Sequence, residues 1–228
     1  MSFLQPIALS RNTLNGVKWV ALLLMLIDHI NKMLLSSHYD WMYSLGRISM
    51  PLFSIALGLN LASIGRDTAV YKRVCARLWL FGVLATPVFV VVNQPLILGW
   101  LPLNILFMFL CAVVIVGALE SNSSFGIPIA AVMFVVGSLF VEFWWPGVLL
   151  VLSVWSYQRK PNVFSVIIFI LSLLLISLIN GNGWSFACIP VILLIKHFKK
   201  VTWQRAQLFF YGFYPAHLYL IWVVQKVL

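Results

Sequence analysis

The chain has 228 residues, of which 63% are hydrophobic and only 9% charged, with a formal net charge of +10. A soluble domain carries about a quarter charged residues and under half apolar ones, and folding still leaves much of its surface in water, so a water-soluble globule is excluded. The positive charge falls in short gaps between apolar runs rather than on one continuous face, which argues for membrane topology signals and against a nucleic-acid partner.

A membrane helix needs roughly 20 mostly apolar residues to cross about 30 Å of hydrocarbon. By that measure the sequence predicts an all-α, polytopic membrane bundle of about nine helices, forming one domain over residues 1–228. The first helix, near 17–36, carries Asp28, His29, Asn31 and Lys32 inside an apolar run. No small-x-small cleavage site follows it, so it is predicted to stay in the mature protein rather than leave as a signal peptide. The second helix, near 43–64, opens with Ser44-Leu-Gly-Arg-Ile-Ser-Met-Pro and holds Arg47, Ser49, Ser54 and Asn60. A third is predicted near 76–93. The fourth, near 103–119, starts at Asn104, and the fifth lies near 125–141. The sixth (146–157) and eighth (184–195) are short for a full span, which points to tilt or to a protein-bounded cavity. The seventh lies near 163–180, and the ninth, near 207–227, has His217 at its middle. No internal repeat is visible, which weighs against an inverted-repeat transporter.

Lysine and arginine set the orientation. With the amino terminus in the cytoplasm, the inner side holds Arg11, Lys18, Arg66, Lys72, Arg73, Arg77, Arg159, Lys160, Lys196, Lys199, Lys200 and Arg205. Only Lys32, Arg47 and Lys226 fall outside. That asymmetry is the positive-inside pattern. Trp41, Tyr43, Trp100, Trp144, Trp145 and Trp184 lie near helix ends and fit interfacial belts. Cys75, Cys111 and Cys188 sit singly, without metal or disulfide spacing.

An ionisable group inside a membrane segment costs a few kcal/mol unless it is paired or faces water. Asp28 and Lys32 are four residues apart on one helical face, so an ion pair between them is geometrically easy, and Arg47 is a second candidate partner. Lys32 and Arg47 are alternatively explained as snorkelling to the outer headgroups, and His29 and His217 as satisfied core histidines. Asn60 and Asn104 suit interhelical hydrogen bonds as well as substrate contacts. At 1.5 Å per residue, His29 lies about 18 Å beyond Val17, past the bilayer midplane. Arg47 enters at a matching depth, so Asp28, His29, Arg47, Asn60, Asn104 and His217 are expected to converge in one polar pocket.

Those same residues carry a likeness. Leu24-Met-Leu-Ile-Asp-His-Ile-Asn-Lys32, Trp41-Met-Tyr-Ser-Leu-Gly-Arg-Ile-Ser-Met-Pro-Leu-Phe53, Gly58-Leu-Asn-Leu61, Asn104-Ile-Leu-Phe-Met-Phe109 and Phe213-Tyr-Pro-Ala-His-Leu218 follow one another in an order and spacing that resembles the TraX family. The likeness spans nearly the whole chain. It departs at Trp144-Trp-Pro-Gly-Val148, where a Tyr-Gly-x-x-Gly stretch is expected. The resemblance implies an enzyme of the bacterial inner membrane that uses acetyl-CoA to acetylate the amino terminus of an F-type conjugative pilin subunit. By the further likeness to transmembrane acyltransferases, it implies catalytic roles for His29 and Asp28, with Arg47, Asn104 and His217 lining the site.

Chemistry elaborates that expectation. An α-amino group has a pKa near 7.7–8.0, so a nearby imidazole is a suitable general base, and His29 is the candidate. Asp28 is expected to orient the ring or to hold the ammonium, and Arg47, helped by Asn104, to stabilise the thioester oxyanion. The basic inner mouth, including Lys72, Arg73 and Arg77, is expected to hold the phosphates of CoA, with Asn60 deeper along the path. Two other enzymic or binding readings stay open: an acetyltransferase acting on a sugar or lipid, and a non-catalytic pilin-binding assembly factor. A secondary transporter is the reading from a third class.

Overall fold

The computed structural model describes residues 4–93, 99, 101–198 and 201–227; Trp100, Lys199 and Lys200 lie outside the described residues. The described chain is helical throughout: α1 (Arg11–Leu34), α2 (Asp40–Gly46), α3 (Ser49–Ile64), α4 (Thr68–Asn93), α5 (Ile105–Glu120), α6 (Gly126–Val135), α7 (Trp144–Arg159), α8 (Val163–Asn180), α9 (Cys188–His197) and α10 (Gln207–Val227). Short 3-10 turns over Gly137–Phe140 and Trp184–Ala187 continue α6 and lead into α9. Its lone extended pairing is a parallel bridge between Leu103 and Val141.

Four segments are long and apolar enough to cross a membrane: Arg11–Leu34, Asp40–Ile64, Thr68–Asn93 and Val163–Asn180. Phe164, Leu178, Ile127 and Leu220 project from the outside of the bundle. Such bulky apolar side chains gain nothing by facing water and match hydrocarbon, so this exterior fits a membrane protein.

Helix starts follow local chemistry. The Ser10 hydroxyl accepts from the Thr13 amide at 3.0 Å, and Asn162 accepts from Ser165 N at 2.8 Å, each satisfying an amide that has no helical partner. Asp67 does the same for Ala69 and Val70. That cap starts α4 eight residues before the expected position. The added turns are amphipathic rather than apolar, so they lie outside the apolar run that marks the span.

The segment expected as one helix over 43–64 is broken at Arg47 and Ile48. Pro51 has no amide proton to return to the carbonyl of Arg47, and its ring crowds that carbonyl. The ladder is interrupted there, and Arg47 sits at the joint.

In the packed bundle, α3, α5 and α7 supply most of the buried core, including Leu52, Leu61, Met108, Val113, Val148 and Leu150. α1 packs on α2, α3 and α10; α4 lies between α5 and α10; α8 covers α7. The Ser49 hydroxyl donates to the Ala21 carbonyl at 2.7 Å and ties α3 to α1. Between α9 and α10 the chain returns to the start of α1: Asn12 donates to Val201 O at 2.7 Å and accepts from Trp203 N at 2.7 Å. The Ile7 amide also donates to Gln158 Oε1 at 2.8 Å. The starts of α1 and α10 and the end of α7 therefore share one end of the molecule.

Candidate functional site

A cavity of about 810 Å³ opens among α1, α3, α4 and α10. Arg11 and Lys32 both line it and lie about 32 Å apart along α1 at 1.5 Å per residue. It therefore runs a depth comparable with the hydrocarbon of a bilayer. One end carries Arg11, Lys18, Arg73, Arg77 and Arg205, and the other carries Asp28, His29, Lys32, Arg47 and Glu142. The basic clusters around 66–77 and 196–205 thus contribute side chains to the same end.

At the mixed-charge end, an Arg47 terminal nitrogen donates to Asp28 Oδ2. Both side chains are mostly buried, 19% and 13% exposed, so the pair is shielded from water yet borders the cavity. The guanidinium also lies over the Tyr43 ring, 4.3 Å from its centroid, a cation–π contact. Arg47 Nε–H is buried with no partner among the described residues. A buried unpaired donor is uncommon and calls for an acceptor.

The expected alternative pair between Asp28 and Lys32 does not form. Lys32 instead donates to Asn93 Oδ1, at the end of α4. Gly46 makes the Asp28–Arg47 approach feasible: a Cβ on it would stand 2.3 Å from Asp28 Cβ.

His29 meets His217 across the α1–α10 contact. His29 Nδ1 lies 2.7 Å from His217 Nε2, with ring centroids 4.9 Å apart. His217 Nδ1 in turn lies 2.7 Å from the Phe213 carbonyl oxygen. No hydrogen bond joins Asp28 to His29 among the described residues, because neighbours on a helix point about 100° apart and Asp28 is held by Arg47. Of the roles expected for Asp28, anchoring Arg47 is the one found, and a hydrogen bond that would orient the imidazole is not.

Two other expected site residues are placed differently. Asn104 is the N-cap of α5, accepting from Leu106 N at 3.1 Å and donating to Gly82 O at 2.9 Å and Thr86 Oγ1 at 3.2 Å. Its polar capacity is spent on fixing α5 to α4, it is fully buried, and it does not line the cavity. Lys72 lies in a shallow apolar groove with Tyr71, Cys75 and Gly117. Arg73 and Arg77, one turn apart, share the face of α4 that lines the cavity, whereas Lys72 points about a third of a turn away. Asn60 does line the cavity.

Glu142 was not singled out by sequence, although a lone carboxylate among apolar residues is a signal in itself. It follows the 3-10 turn after α6, where its amide donates to Leu103 O at 2.9 Å while Leu103 N donates to Phe140 O at 2.7 Å. The next two residues, Phe143 and Trp144, hold φ of 59° and 44°, a backbone region that side chains with a Cβ seldom adopt. Glu142 lines the same cavity as Lys32, Arg47 and Asp28. The arrangement therefore sets two carboxylates, two cations and His29, backed by His217, around one end of a cavity whose other end is basic.

Comparison with known proteins fits these observations. The family profile described as TraX protein matches residues 13–225. The chain is 35% identical over 107 residues to Protein TraX of Escherichia coli, covering 47% of this chain and 40% of that protein. It is 34% identical over 119 residues to Protein TraX of Escherichia coli strain K12, covering 51% and 44%. The matched segments thus span less than half the length of each of these relatives. No solved structure matches the chain.

Proposed function

The chain belongs to the TraX family, and from that premise and the geometry of the cavity we propose that it is a multi-pass acetyltransferase of the bacterial inner membrane, moving an acetyl group from acetyl-CoA to the amino terminus of a conjugative pilin subunit. In this reading the basic end faces the cytoplasm, the amino terminus lies there, and the bundle crosses the bilayer nine times. The observation that carries the proposal is the continuous cavity joining five basic side chains to the Asp28–Arg47 pair and His29.

Acetyl-CoA is a polyanion with its reactive thioester at the tip of a long, flexible arm. Arg11, Lys18, Arg73, Arg77 and Arg205 suit its phosphates by charge and by donor number. His29 lies eleven residues beyond Lys18, about 17 Å along α1, a reach suited to the pantetheine arm. The fixed charge of Arg47, which lines the cavity, suits the thioester oxygen, where negative charge grows as the carbonyl is attacked.

The neutral amine nitrogen of pilin forms a bond to the thioester carbon, and His29 Nε2 takes the amine proton. The carbon–sulfur bond then breaks, and the departing CoA thiolate takes that proton to leave as the thiol. Glu142 is the carboxylate that Arg47 does not hydrogen-bond, and it is suited to receive the incoming ammonium before it gives up its proton. Asp28 holds Arg47 in place.

Intact-mass analysis of pilin co-expressed with this protein tests the proposal. A gain of one acetyl group with the wild-type chain, absent with His29→Ala, is the expected result. Unmodified pilin, while a sugar or lipid takes up the label from acetyl-CoA, would assign a different acceptor. Equal modification by His29→Ala would remove His29 from the chemistry.

A further inference from the structure

We infer that His217 is a positioning residue that fixes the tautomer of His29, so that His29 Nε2 holds the lone pair facing the cavity. The inference rests on the acetyltransferase reading for its purpose, but for a neutral His217 the proton arrangement follows from the hydrogen bonds.

A backbone carbonyl can only accept. The 2.7 Å contact between Phe213 O and His217 Nδ1 therefore places a proton on Nδ1. In neutral imidazole the other nitrogen then carries the lone pair, so His217 Nε2 is an acceptor. It stands 2.7 Å from His29 Nδ1, which must donate. His29 Nδ1 consequently bears the proton, and Nε2 is left unprotonated. Among the described residues nothing hydrogen-bonds His29 Nε2, and His29 lines the cavity while His217, 3% exposed, lies behind it.

The register of α10 builds this relay. Phe213 and His217 are four residues apart, so the ring of His217 folds back over its own preceding turn. The Phe213 ring stacks on it at 4.9 Å between centroids and 10° between planes. Tyr214 packs edge-on against both histidines. The ring of His217 is thereby held in one orientation.

The same bond serves both charge states of His29. When Nε2 gains the amine proton, Nδ1–H still donates to His217, so no rearrangement accompanies transfer. A carboxylate performs this orienting task in the serine hydrolase triad; here a neutral ring does so, and Asp28 stays with Arg47.

Nitrogen-15 NMR of histidine-labelled protein in nanodiscs reads the tautomer directly. The expected spectrum shows protonated Nδ1 and unprotonated Nε2 for His29, assigned by loss of its signals in His29→Ala. A protonated Nε2 on His29 in the wild-type protein would overturn the inference, whatever the activity. Three variants give the kinetic arm. His217→Gln offers an amide oxygen as acceptor and should keep kcat within about tenfold of wild type, whereas His217→Leu, with no acceptor, should lose roughly 10²-fold, within the range that a positioned base supplies. His217→Lys, which can only donate to Nδ1, should shift the His29 proton to Nε2 in the spectrum and abolish transfer. KM for acetyl-CoA should stay unchanged in Gln and Leu. Wild-type kcat in Leu, or losses in Gln equal to those in Leu with both proteins folded, would show that His217 merely packs. Full activity in His29→Ala would instead sink the acetyltransferase mechanism and leave the measured tautomer intact.

Discussion

Gly46 approaches Asp28 so closely that a Cβ on the glycine would lie 2.4 Å from the carboxyl carbon and 2.6 Å from Oδ1. The next residue is Arg47, so the glycine that admits Asp28 also delivers its partner. Gly46→Ala should displace the carboxylate and cost about 1–3 kcal/mol through overpacking, with a loss of acetyl transfer larger than the stability change alone explains. Thermal unfolding in detergent alongside single-turnover transfer measures both. Unchanged transfer would mean that the pair does not matter to catalysis.

Arg47 brings a fixed charge and a planar fork to the edge of the cavity. Arg47→Gln should lower kcat by roughly 10²–10³-fold, the range for removing one oxyanion donor. Arg47→Lys keeps the charge but loses the fork, so it should recover folding without recovering rate. Wild-type kcat in Arg47→Lys would show that charge alone suffices.

Glu142 should act on the amine rather than on the thioester. Glu142→Gln is expected to lower kcat/KM for pilin about tenfold, equivalent to about 1.4 kcal/mol, while KM for acetyl-CoA holds. A change confined to acetyl-CoA would move Glu142 to the other substrate.

At the basic end, Arg73→Gln and Arg77→Gln should each raise KM for acetyl-CoA by about tenfold, the loss of one charge-assisted hydrogen bond. Lys72→Gln should not, because Lys72 lies in a different groove. Steady-state kinetics on the three variants decides the matter, and an equal rise in all three would point to a diffuse field instead of a built site.

Asn104→Ala should destabilise the fold by about 1–3 kcal/mol, since it removes both a helix cap and buried hydrogen bonds. Once folded, the variant should transfer acetyl at a near-normal rate. Normal stability with lost activity would return Asn104 to the reacting centre.

The sequence made the all-helical plan legible because lipid demands long apolar segments, and polar residues inside them stand out. Asp28, His29, Arg47 and Asn60 stand out that way, and all four line the cavity. Pairing was less legible. Asp28 had two cations within reach, and the choice between them depended on Pro51 breaking the helix and Gly46 lacking a side chain, neither of which apolar periodicity reports. Asn104 looked like a ligand because an asparagine at a helix start serves a cap and a substrate equally well on paper. Glu142 escaped notice because it stands between helices rather than within one. His217 was expected beside the substrate, but its ring folds back onto the Phe213 carbonyl of its own helix and takes the position behind His29 instead.

The histidine contact joins residues 188 positions apart in the chain. During synthesis, His29 enters the bilayer long before its counterpart exists, and a nascent chain that stops after α9 carries an imidazole whose proton is free to sit on either nitrogen. If the proposed acetyltransferase reading holds, competence for transfer arrives only with the tenth helix, because the partner that orders His29 lies on it.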